Sequence, residues 1–338
     1  MAQPMPSSPA VCTGLTRRAF LQLSGLSLAG LCLPAPTTVL GKDPAPGRPR
    51  FLLAWGKEGS QHGEFHSPIG IAINAKDEVF VTEFRNNRVQ KFTTEGKFLA
   101  AFPVAAMPGG IAVDRQGRIY VAPLMLGKVC VYSPAGKLLR EWSKVGSKDG
   151  ELDQPGGVVI GKDGSVYVAD QVNRRVQKFS PEGKFLAKWG EYGTKPGQFG
   201  GNTPHPVRTG GPNFLATDRR GNIYTTEASV GRVQKFTPDG KFLLAWGDNG
   251  TQPGGFGGRP KNLPGPIALC VDPKDRVWVS ATNHRVQQFT NKGKYLRGFG
   301  GRGDKPGQFV TPHGLALDSL GNLYVVDAQN HRVQKFAV

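Results

Sequence analysis

The chain has 338 residues, a formal net charge of +18, 38% hydrophobic residues, 47 Gly and 27 Pro. So much Gly and Pro excludes a mainly helical protein and suits short strands joined by tight turns, while the hydrophobic fraction excludes a disordered chain. The positive excess attracts polyanions, although much of the Lys and Arg recurs once per repeat on what reads as solvated sheet edge.

The first segment, "TRRAFLQLSGLSLAGLCLPAPTTVL" from Thr16, sets Arg17 and Arg18 before Phe20 and Leu21 and an apolar run that ends at Leu33. That run is shorter than the roughly 20 residues needed to cross a bilayer. It resembles a twin-arginine export signal. The expected division is a signal peptide over 1–35, a linker over 36–49 and a body over 50–338, with a bacterial periplasmic or extracellular location and no transmembrane span in the mature chain. Cys12 and Cys32 fall in the signal, and Cys130 and Cys270 remain in the body at positions that read as buried strand, so two packed thiols are expected rather than a disulfide.

The body repeats itself. Aligning on the basic residue of "RVQKF" gives Arg88, Lys128, Arg175, Arg232, Arg285 and Arg332, six copies at a mean spacing of about 48 residues, close to a four-stranded propeller blade. In each copy a Pro/Gly-rich approach leads to an apolar run ("GIAVD", "GLALD"). An Asp/Gly turn, a β-rich run ("RIYVA", "NLYVVD"), the word itself, a second turn ("SPEG", "TPDG") and a strand ending in Trp or Phe then Gly follow. The last copy stops after its third strand, and the body begins with "RFLLAWG", a fourth strand with nothing before it. Together they complete one blade and close the ring, which removes exposed sheet edges. The predicted fold is an all-β, six-bladed β-propeller of four-stranded blades.

An acidic residue ends the second strand and a basic one opens the third at a constant spacing: Glu83 with Arg88, Asp170 with Arg175, Glu227 with Arg232 and Asp327 with Arg332. A short hairpin would bring each pair into a charge-assisted bond that fixes the loop. Asn86, Asn173, Asn283 and Asn330 suit the turn positions. The word thus reads as structural, and His284 and His331 within it read as loop residues. The second copy ("APLMLGKVCVY") and the fifth ("VSATNHRVQQF") lack the acid and read as variant loops where a ligand needs room.

The combination of "PGQF", "PHGLALD", "GNLYVVDAQNHRVQKF" and "GKFLLAWG" resembles the NHL-repeat family from Phe51 to Val338. The resemblance implies a propeller. For activity it implies one of several classes: cytoplasmic RNA-binding modules, extracellular sensor domains of bacterial receptor kinases, or the peptidyl-α-hydroxyglycine α-amidating lyases.

Unshared residues on the face that carries the incoming loops and the loops between second and third strands are the functional candidates. These are His205, Arg208, Arg259 and Lys261, with His313 at the start of an inner strand where the other copies carry Ile69, Gly109, Gly156, Asn213 and Pro266. The expected function is an exported, non-catalytic binding or scaffold module acting through this face, with an envelope protein or an anionic polymer as partner; export takes nucleic acid out of reach. The alternative is a metal-dependent lyase of the amidating-lyase type. That family uses channel histidines for zinc, which would make His66, His205 and His313 the ligands of a zinc or calcium ion. No Ser/His/Asp set, P-loop or Cys-pair metal motif is visible.

Overall fold

A computed structural model describes residues 47–200, 210–257 and 265–338, all within the unit Pro36–Val338. The segment 1–35 read as an export signal lies outside the described residues. Six four-stranded antiparallel sheets stand in sequence order. Blade 1 comprises Pro68–Ile73, Val79–Glu83, Arg88–Phe92 and Phe98–Pro103, and blade 2 Pro108–Val113, Ile119–Pro123, Val129–Tyr132 and Leu138–Trp142. Blade 3 comprises Pro155–Ile160, Val166–Asp170, Arg175–Phe179 and Phe185–Trp189, and blade 4 Leu215–Thr217, Ile223–Glu227, Arg232–Phe236 and Phe242–Trp246. Blade 5 runs Pro266–Val271, Val277–Ala281, Arg285–Phe289 and Tyr295–Gly300. Blade 6 takes Pro312–Leu317, Leu323–Asp327 and Arg332–Ala337, and its outer strand is Arg50–Trp55, which pairs antiparallel with Arg332–Ala337. The predicted six-bladed ring with its shared closing blade is the observed fold. Among the described residues no helix is long and apolar enough to cross a membrane.

Local chemistry accounts for the hairpins. In blade 2 the Asp114 carboxylate accepts from the backbone N–H groups of Gln116 and Arg118, both at 2.9 Å, and Gly117 N–H closes the turn on Asp114 O. In blade 3 the second turn needs Gly183 twice over. Its φ is +94°, and a Cβ there would come within 2.6 Å of the Trp142 ring from blade 2.

The hydrophobic core is divided into six clusters, one at each junction between neighbouring blades. The aromatic residue that ends each outer strand is the wedge. Trp142 of blade 2 lies against Tyr120 of its own blade and Phe179 of blade 3; Trp189 repeats this with Tyr167 and Phe236, and Trp246 with Tyr224 and Phe289. Trp55 does the same across the closure, between Tyr324 of blade 6 and Phe92 of blade 1. Both body cysteines are free. Burial pushes the Cys130 thiol up to about 11 and raises that of Cys270 as well, so neither is a poised nucleophile.

Candidate functional site at the channel mouth

Each residue of the repeated word has a structural partner. In blade 6 the buried Asp327 carboxylate accepts from Val310 N–H and Asn330 Nδ2 at 2.8 Å, Arg332 Nε at 2.8 Å and Gln334 Nε2 at 3.1 Å. Arg332 turns its remaining nitrogens to the carbonyl oxygens of Asp304, Lys305 and Gln308, so it clips the incoming loop to the blade. Lys335 sits over the Tyr324 ring, 3.3 Å from Asp318, and Phe336 is buried at the junction. Glu83 with Arg88, Asp170 with Arg175 and Glu227 with Arg232 are bonded in the same way. Burial pushes the carboxyls of Asp170 and Glu227 up, and the bonded arginines pull them back.

The last loop position, just before the arginine, does more than turn the chain. Asn87 Oδ1 accepts from Met107 N–H at 2.9 Å, His284 Nδ1 from Thr311 N–H at 3.1 Å, and His331 Nδ1 from Ser67 N–H at 3.4 Å. Each acceptor reaches the next blade. His284 and His331 are therefore clasps between blades, which the sequence reading missed.

Two cavities of about 280 Å³ each lie along the ring axis. One is the channel proper, lined by the inner strands. The other is its mouth, walled by the starts of the inner strands and the first residue of the loops between second and third strands. Its apolar wall includes Ile69, Phe84, Leu124, Phe214, Ala228 and Ile267, and its polar groups include Gln171, Asn213, Ser229, Thr282, Thr311 and His313. Phe214 borders both cavities, whereas Gly70, Gly110, Gly157 and Gly314 stand at the equivalent positions of four other blades. A Cβ on Gly156 would fall 2.2 Å from Gln171 Nε2 and 2.4 Å from Asn213 O, so this glycine keeps the wall open.

His313 holds the inner position of blade 6, its carbonyl oxygen bonded by Ser280 Oγ at 2.7 Å. Its Nδ1 is buried without a hydrogen-bond partner, and burial pushes the imidazole down to about 4, so it is neutral at physiological pH. The strand register corrects one assignment. Pro266 pairs with Ala281 as Pro312 pairs with Asp327, so the counterpart of His313 in blade 5 is Ile267. The shorter fifth loop had displaced the alignment by one.

His205, Arg208, Arg259 and Lys261 lie outside the described residues. His66 does not line the mouth: its backbone N–H bonds Glu83 at 3.0 Å, and its ring faces His331 across the closing junction at 6.0 Å between centroids. Among the described residues no group of three or more His, Cys, Asp or Glu side chains is placed to hold a metal ion. The apolar wall was the part missed. Phe84, Leu124, Gln171, Ala228, Thr282 and Ala328 each open the loop after the second strand, and no two adjacent blades agree there. That variation at a fixed offset from the acid was the available signal.

Beside the mouth, blade 2 carries an exposed apolar patch. Leu124 N–H bonds Met107 O at 3.0 Å, and Met107, Met125 and Leu126 are each about two-fifths exposed.

The NHL repeat matches residues 65–92, 152–179 and 309–336. A mouse protein, NHL repeat-containing protein 3, is 27% identical over 143 residues, 40% of this chain and 39% of its own length. Mouse peptidyl-glycine alpha-amidating monooxygenase is 44% identical over 59 residues, 16% of this chain and 6% of its own. The chain thus matches well under half the length of either relative. A gluconolactonase structure from Xanthomonas campestris superimposes with a TM-score of 0.59 at 16% identity, covering 90% of this chain and 99% of that one, a likeness of fold alone. The chain is a six-bladed β-propeller in which stretches of blades 1, 3 and 6 match the NHL repeat.

Proposed function

We propose that the protein is an exported binding module that holds a protein partner on its loop face, with an apolar side chain of the partner seated in the channel mouth. The observation that carries this is the continuity of the apolar mouth cavity, through Leu124, with the exposed Met107, Met125 and Leu126. Exposed methionine beside a preformed apolar cavity is adaptable contact surface, and a contiguous apolar patch on a soluble face favours association. A photo-crosslinking residue at Met125 should trap one discrete partner in the cell envelope. The same residue at Leu320, exposed on the opposite face, should not. Equal labelling from both sites, or an adduct that survives Leu124→Glu, would refute the assignment. The export half of the proposal rests on Arg17 and Arg18, and a paired Arg→Lys change should leave the folded protein in the cytoplasm.

One observation favours a second reading, a metal-dependent lyase: the neutral imidazole of His313 with its orphaned Nδ1 at the mouth. This reading expects about one zinc or calcium per chain in protein purified without chelator, and its loss in His313→Ala.

A further inference from the structure

On the face opposite the mouth, each blade carries a cation beside the ring of its second strand, and at five junctions carboxylates match it. Lys91 meets Glu78 at 2.6 Å in blade 1, Lys235 meets Asp218 at 3.2 Å in blade 4, and Lys335 meets Asp318 at 3.3 Å in blade 6. The neighbouring blade's turn often adds an acid. Lys178 has Asp163 at 3.6 Å and Asp239 of blade 4 at 3.9 Å, and Glu95 of blade 1 feels Lys335. In blade 2 the word carries Val131 in place of Lys, and Arg140 of the outer strand supplies the cation. With Arg118 it faces Asp114 and, from the blade 3 turn, Glu182.

Blade 5 departs from this balance. Gln288 replaces the Lys, and Arg297 of the outer strand takes its place, donating Nε to Gln288 at 2.8 Å and lying 5.2 Å from the Trp278 ring centre. Arg276 bonds Asp272 at 2.6 Å. The next blade offers no turn here, because the third and outer strands of blade 6 come from opposite ends of the chain. Where the other junctions receive a turn, Gly47 and Arg48 arrive instead, Gly47 O accepting from Arg297 Nη1. The result is a groove of about 580 Å³ lined by Arg48, Arg276 and Arg297; among the described residues the acid beside it is Asp272, already bonded to Arg276.

We propose that this groove is an oxyanion site, taking a carboxylate or phosphate group in the position that the acid of an adjoining turn fills elsewhere in the ring. Guanidinium forks suit both groups, and three of them against one acid leave donors unspent. Burial, and then the charge of Arg276, hold Arg297 below its usual range, the direction expected where cations lack a counter-ion.

The test is the thermal midpoint of the full chain titrated separately with phosphate and with acetate, ionic strength held constant with sodium chloride. A saturable rise is expected with at least one anion, and the stronger response assigns the preferred group. Arg48 is exposed, so its variants leave the fold intact. Arg48→Ala should weaken the half-saturation concentration at least tenfold. Arg48→Glu should raise the midpoint without added anion and abolish the response, because it supplies the carboxylate that adjoining turns provide at three of the other junctions. No response beyond chloride in the wild type, or an undiminished one in Arg48→Glu, overturns the proposal.

Discussion

Replacing Asp327 by Ala removes the acceptor for one guanidinium, one backbone N–H and two side-chain amides, all bonded to a carboxylate that is itself fully buried. Breaking a buried pair from one side costs about 3–5 kcal/mol, largely because the remaining charge is stranded. For a domain stable by about 5–15 kcal/mol this is a large fraction. Arg332 is then the source of the penalty, so removing it too should recover part of the loss. The double variant Asp327→Ala/Arg332→Ala is expected to cost no more than Asp327→Ala alone, a coupling of about 2 kcal/mol or more. Urea unfolding of the wild type, both single variants and the double, read at a common slope, measures the coupling. Additivity to within about 0.5 kcal/mol would refute the idea that the acid serves mainly to neutralise and orient the arginine.

Other expectations follow from the same structure. His331→Ala should lose the clasp to Ser67 N–H, about 1 kcal/mol, and His331→Asn, the residue blade 1 uses at position 87, should retain most of it; urea midpoints decide. Trp189→Ala, which empties the wedge between Tyr167 and Phe236, should cost about 3–5 kcal/mol, against under about 0.5 for the exposed Leu186→Ala on the same strand. His313 binds its proton more weakly folded than unfolded. The unfolded state therefore takes up protons first as pH falls below about 6.5, and stability drops until about pH 4, by up to about 3 kcal/mol in total. His313→Gln should flatten that part of the profile, and an unchanged profile would show the imidazole to be solvated.

The repeat made the ring legible because each blade must solve the same packing problem, and the same residues solve it. Arg88, Arg175, Arg232 and Arg332 all clip an incoming loop, and Trp55, Trp142, Trp189 and Trp246 all wedge a junction. Function was harder to read for the converse reason. The mouth is built from positions that repeat in space but not in residue type, and Phe84, Leu124 and Gln171 carry no motif of their own. His313 was visible only because one imidazole interrupts a series of uncharged, non-titrating residues. A one-residue deletion in the fifth loop, harmless to the sheet, was enough to misplace Pro266 against it.

The ring closure draws these points together. Pairing Arg50–Trp55 with Arg332–Ala337 completes the four-stranded sheet of blade 6, yet it leaves one junction without the adjoining turn that the others receive. The same closing blade carries His313 at the mouth and the His331 clasp to blade 1. In a ring whose other blades are near copies, asymmetry is the physical precondition for a single site. Six equivalent junctions would hold six weak ligands, whereas one mouth and one unneutralised groove can each be specific. The departures from the repeat at blades 2, 5 and 6 are therefore where partners should be sought, and the repeated word is where they should not.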